Sequence, residues 1–128
     1  MYKIELTANF LAKQGLKSLV RETAKEVPLA PATGFETKLK LGFVFRDNQI
    51  KDTGWFFDSD DYQTHVDDLA LLLENKKWTD YFEFRPTYEL VAKWIFDTLR
   101  PDLPGLAYVA LENKTIGVTT KYQLVDKN

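Results

Sequence analysis

Few residues in this chain can do chemistry. It holds no cysteine and one histidine, His65, so disulfides, thiolate metal sites, thiol nucleophiles and an all-imidazole metal site within one chain are excluded. Carboxylates and amines remain. Glu112 follows the apolar run Ala107-Tyr108-Val109-Ala110-Leu111 and is expected at the turn of a closing hairpin. A carboxylate at the end of a sheet, beside loops, is a candidate ligand anchor; it is also a common turn residue. Asp58-Ser59-Asp60-Asp61 and Asp67-Asp68 lack the spacing of a calcium loop and read as a helix start and a solvated face. His65, mid-helix beside Val66 and Leu69, reads as structural. Lys13, Lys17, Arg21 and Lys25 form a solvated face or hold an anionic ligand.

The elements that must position these groups follow from periodicity. Tyr2, Ile4, Leu6 and Ala8 alternate with Lys3, Glu5, Thr7 and Asn9, which predicts a half-buried strand over 2–10. From Leu11 to Pro31 the alternation stops, predicting a long connection with a short helix at 15–25 and a Pro28–Pro31–Gly34 close. A second strand over 36–46 carries Thr37, Leu39, Leu41, Phe43 and Phe45 on one face, and Gly54–Phe57 resumes an extended segment after a turn at Asp47-Asn48.

Asp58–Asp61 suits the first turn of a helix, where small polar and acidic residues meet free N–H groups and the positive dipole end. Tyr62, Val66, Leu69 and Leu73 make one stripe, and the helix should end near Asn75. A loop from Trp78 to Arg85 leads to a second helix with Thr87 as N-cap, Glu89 in its first turn, and Leu90, Val91, Trp94, Ile95 and Leu99 buried. Pro101 and Pro104 stop it. Leu106–Leu111 and Thr115–Tyr122 form the last hairpin.

The predicted order is ββααββ, an α+β single domain spanning 1–128. A length of 128 residues suffices for a core, and 45% apolar residues argue against disorder. Seventeen basic against 19 acidic residues leave no basic excess for a nucleic-acid or anionic-membrane partner. No apolar run approaches the ~20 residues that span a bilayer, and the alternating start is unlike a secretory signal, so a cytoplasmic location is expected. A four-stranded sheet with helices on one face leaves two unpaired edges, which favours an oligomer built by edge pairing.

Three segments together resemble the 6-pyruvoyl-tetrahydropterin and 6-carboxytetrahydropterin synthase family. Gly54-Trp55-Phe56-Phe57-Asp58 is similar to the family's segment before its first helix. Pro86-Thr87-Tyr88-Glu89 with Ala92-Lys93-Trp94-Ile95 resembles its Pro-Thr-x-Glu helix start. Val109-Ala110-Leu111-Glu112, followed by Lys121-Tyr122, resembles its strand ending in the pterin-binding glutamate. The resemblance implies the tunnelling (T-) fold: sheet edges paired around a tunnel, commonly a hexamer of two trimers, with pterin- or purine-like ligands between subunits. It makes Glu112 the acceptor for a ring N–H and amino group, a two-pronged donor suited to a carboxylate, with Thr87 and Glu89 beside the ligand.

The same resemblance sets out departures. The family's zinc-binding histidines fall on Asn9-Phe10-Leu11 and on Thr33-Gly34-Phe35, its cysteine has no counterpart, and its Asp-His pair falls on Glu74-Asn75. No metal and no cofactor are therefore expected. Glu74 is left as a helix-end residue or a remodelled acid–base carboxylate. Three readings follow: a zinc-independent heterocycle binder with altered or lost catalysis, a metal-free aldolase- or epimerase-like enzyme using Lys13 or Lys121, or a structural oligomer.

Overall fold

The computed structural model describes residues 1–16, 34–50 and 59–124. The sequence alternates where strands form. β1 (Tyr2–Ala12) and β2 (Phe35–Phe45) pair antiparallel over their full length, with Tyr2 opposite Phe45 and Ala12 opposite Phe35. β3 (Leu106–Asn113) lies on the other side of β2, and β4 (Val118–Gln123) completes a sheet of order β1-β2-β3-β4. β1 runs two residues past the predicted end because Phe10 and Ala12 continue the buried alternation. The predicted connection, its helix at 15–25 and the Gly54–Phe57 segment lie essentially outside the described residues, as do Asp58, Lys17, Arg21 and Lys25.

One face of the sheet carries the helices. Leu39, Leu41 and Phe43 of β2 and Val109 and Leu111 of β3 are fully buried there. α1 (Ser59–Asn75) packs over β1, and α3 (Tyr88–Leu99) packs over β3 and β4. The α1 stripe is as predicted: Val66, Leu69 and Leu73 are buried, and Tyr62 packs against the core. α3 differs by one register step. Tyr88, Val91, Ala92, Ile95, Phe96 and Leu99 face the sheet, while Leu90 is 44% exposed. The spacing 88/91/92/95/96/99 is the continuous 3.6-residue stripe, and Leu90 falls off it. Trp94 is half-buried instead, against the rings of Tyr81 and Phe82.

The predicted loop at Trp78 begins with a one-turn helix, α2 (Trp78–Tyr81). Its cause is Trp78, wholly buried, whose backbone N–H donates to the Lys13 carbonyl at 2.8 Å and whose indole N–H donates to the Leu73 carbonyl at 2.9 Å. The predicted turn at Asp47-Asn48 is a short 3-10 turn, Asp47–Gln49. No helix among the described residues is long and apolar enough to cross a membrane.

Candidate functional site

The face of the sheet away from the helices is polar, because the residues between the core positions are Lys, Glu, Thr and Asn. Strand register sets them in rows. Asn9, Lys38, Glu112 and Thr119 lie opposite one another across the four strands; the next row is Thr7, Lys40, Ala110 and Lys121, and the one after it Glu5, Gly42, Tyr108 and Gln123.

Glu112 sits inside β3 and not at the turn. The turn starts one residue later because the Asn113 side chain accepts from the N–H groups of Thr115 (3.1 Å) and Ile116 (3.3 Å), an Asx-type turn that delays β4 to Val118. Gly117, at φ 74°, supplies the left-handed residue that closes it. Glu112 is half-buried and pairs with Lys40, Nζ to Oε2 3.3 Å. Among the described residues its carboxylate has no other partner, so it retains acceptor capacity toward a ligand.

Two residues up β2 from Lys38, Glu36 lines a cavity of about 450 Å³ with Asn9, Leu11, Thr37, Glu74 and Lys114. The β3–β4 turn walls it: the Lys114 N–H donates to the Glu36 carbonyl (2.8 Å), and the Glu36 N–H donates to Thr115 Oγ1 (3.0 Å). Glu74 reaches it from the last turn of α1, accepting from the Leu11 N–H at 3.3 Å. Three turns earlier on α1, Gln63 donates to the Thr7 carbonyl at 3.1 Å. Both side chains satisfy backbone groups on the open edge of β1, so Glu74 serves the edge as well as lining the cavity. Glu112 adjoins this cavity by register and is not among its lining residues.

Thr87 caps α3, its hydroxyl accepting from the Leu90 N–H at 3.2 Å, as the sequence predicts. Glu89 is exposed in the first turn. Both stand on the helix side of the sheet, whereas Glu112 faces the other way, so the single chain does not bring these three together. Tyr88 between them was not foreseen as functional. Its phenol lies 2.6 Å from Thr37 Oγ1, which itself donates to the Phe35 carbonyl at 3.1 Å, so the phenol is the donor. This bond ties the start of α3 to the cavity wall.

Burial pushes the Tyr88 phenol up to about 12. A raised folded value means stability that is complete below the unfolded value of about 10 and is lost as pH rises toward 12. The loss across that window should be on the order of 2 kcal/mol. Urea unfolding at several alkaline pH values should show a steeper decline for the native chain than for Tyr88→Phe, and equal slopes would contradict the assignment.

The remaining candidates scatter. His65 is half-buried on α1, Asp60, Asp61, Asp67 and Asp68 are exposed on the same helix, Asn75 ends it, and Lys13 is exposed just past β1. Lys121 projects over the Tyr108 ring, Nζ 4.1 Å from its centroid. The Tyr108 hydroxyl donates to Glu5. Burial first, then that hydrogen bond and the charge of Glu5, push the Tyr108 phenol up. The lysine and this tyrosine share a face with Glu112, a grouping that only strand register reveals. Among the described residues no three His, Cys, Asp or Glu side chains stand close enough to hold a metal ion.

A comparison with curated proteins finds no match. The family model described as 6-pyruvoyl tetrahydropterin synthase matches residues 34–123, from the entry into β2 through the end of β4. The α+β architecture, with its four-stranded antiparallel sheet and helices packed on one face, is consistent with the T-fold of that family. On that match, over most of its length, the chain belongs to the 6-pyruvoyl tetrahydropterin synthase family.

Proposed function

We propose that this protein binds a pterin- or purine-like heterocycle through Glu112, between subunits of a homo-oligomer, without zinc and with altered or lost synthase activity. The observation that carries the reading is the state of Glu112: a half-buried carboxylate on the open sheet face, beside a 450 Å³ cavity, with one ion-pair partner among the described residues and spare acceptor capacity. A flat heterocycle presenting a ring N–H and an adjacent amino group offers two parallel donors, which a carboxylate accepts as it accepts a guanidinium. Lys40 offsets the charge of the anchor and steadies its side chain.

Zinc-independence rests on the donor set. The side chains at the cavity offer carboxylate and amide oxygens beside an ammonium, and the chain's one imidazole is on α1. Zinc in catalytic sites of this kind draws on imidazole or thiolate, so the residues do not fit it and no step is routed through it. Oligomer formation is supported by strands β1 and β4, which have no further partner at the two sheet edges among the described residues, and it would bring Thr87 and Glu89 of one subunit toward Glu112 of another. A trimer or hexamer suits such pairing.

Replacing Glu112 separates binding from folding. Glu112→Ala should weaken heterocycle binding by about 2–5 kcal/mol, because the ligand's donors are left buried without an acceptor. The fold should lose under about 1 kcal/mol, the worth of a part-exposed ion pair. Calorimetric titration with thermal unfolding of the same samples reads both; unchanged affinity would sink the anchor. Turnover abolished by Lys121→Met would favour the metal-free enzyme instead.

A further inference from the structure

The far end of the open face carries a feature that heterocycle binding at Glu112 leaves unused. Tyr108 is 4% exposed and lies flat across β2 at Gly42, where an added Cβ would stand 1.9 Å from the ring. Two ammonium groups share this ring. Lys3 comes from β1 with Nζ 4.8 Å from the centroid, and Lys121 comes from β4 at 4.1 Å. A cavity of about 400 Å³ opens there, lined also by Gln123.

The charges at this cavity do not balance. Among the described residues neither lysine makes an ion pair. Glu5, two residues along β1 from Lys3, accepts from the neutral Tyr108 hydroxyl and keeps its negative charge, and Glu112 is paired with Lys40, so two ammonium groups stand against one carboxylate. Two like charges on one ring lie within a screening length of each other and repel. The ring face offsets part of that through its two cation–π contacts. A net positive charge remains that an anionic ligand would offset, and the cavity is wide enough to admit one.

We propose that this cavity is an oxyanion site that takes a phosphate group, with Lys3 and Lys121 as its two cationic arms, the Gln123 amide as a neutral donor, and Tyr108 on Gly42 as the floor that sets the spacing. Ammonium groups bind phosphate as point charges and need no planar geometry, which suits arms arriving from different strands. The site is separate from the Glu112 anchor: Tyr108 and Glu112 are four residues apart on β3, about 13 Å at strand rise. Either can fail without the other.

The test is a backbone-amide NMR titration of the full chain with inorganic phosphate, pyrophosphate and glycerol phosphate. The expected result is saturable shifts centred on Lys3, Gly42, Tyr108, Lys121 and Gln123. Lys3→Met and Lys121→Met should each weaken binding by about tenfold or more, as loss of one charge-assisted contact implies. Lys93→Met, which removes a cation paired with Asp97 on α3, should change nothing. Tighter binding of glycerol phosphate than of inorganic phosphate would identify a phosphorylated molecule as the ligand, and the reverse order a free anion. Absent or unsaturable shifts, shifts centred elsewhere, or equal weakening by Lys93→Met would overturn the site. The wild-type shift map decides the matter even if a variant fails to fold.

Discussion

Trp78→Ala should cost about 3–5 kcal/mol of folding stability, a large share of the roughly 5–15 kcal/mol that a domain of this size holds. Three structural ties meet at this side chain. The indole is fully buried and contacts the rings of Phe10, Phe82 and Tyr88, so it joins β1, the segment after α2 and the start of α3. Its N–H satisfies the Leu73 carbonyl near the end of α1. Truncation leaves a cavity with aromatic walls and deprives that carbonyl of its donor, two penalties that add. Trp78→Phe keeps much of the volume and should recover more than half of the loss. Urea midpoints at constant slope measure both, and a loss below about 1 kcal/mol for the alanine variant would contradict the packing described.

Gly42→Ala is the second large effect, and it arises from the opposite face. The methyl group would enter the space held by the Tyr108 ring, with approaches of 1.9, 2.0 and 2.4 Å to three of its carbons. No rotation of the ring in place removes such overlap. Either Tyr108 leaves its seat, abandoning Glu5 and exposing an aromatic surface, or β2 and β3 separate at the bulge between Gly42 and Phe43. Overpacking of this kind costs about 1–3 kcal/mol, and the loss of the Tyr108–Glu5 bond adds to it. Gly42→Ala combined with Tyr108→Ala should be less destabilised than the sum of the two single variants, because the second removes the obstacle to the first. Additive losses in that cycle would show that the ring does not press on Gly42.

These two positions also mark the limit of what the sequence discloses. Strand alternation and the capped start of α3 are local properties: Ile4, Leu6 and Ala8 or Leu39, Leu41 and Phe43 declare a buried face by type and period alone. Thr87 declares its cap the same way. Glu112 was legible through its motif, but its place inside the strand was not, because the side chain that begins the turn belongs to Asn113. Trp78 looked like the start of a loop because Lys76, Lys77 and Asp80 surround it, and its burial depends on a carbonyl at the end of α1. The Lys40 partner of Glu112, the Tyr88–Thr37 bond and the Lys3–Tyr108–Lys121 grouping all depend on strand register or on a helix crossing, which link residues far apart in the chain. Leu90 shows the reverse case, an apolar residue one step off the stripe that solvent claims.

A thermal-shift panel decides whether the open face of this family member carries the proposed zinc-independent heterocycle site. Pterins and purines, in oxidised and reduced forms, are added to the full chain with and without zinc and with a chelator. If Glu112 anchors such a ligand, one heterocycle class shifts the melting temperature upward by the same amount under all three metal conditions, and the shift is absent in Glu112→Ala. A flat panel, or a shift that appears only with zinc, would contradict that site.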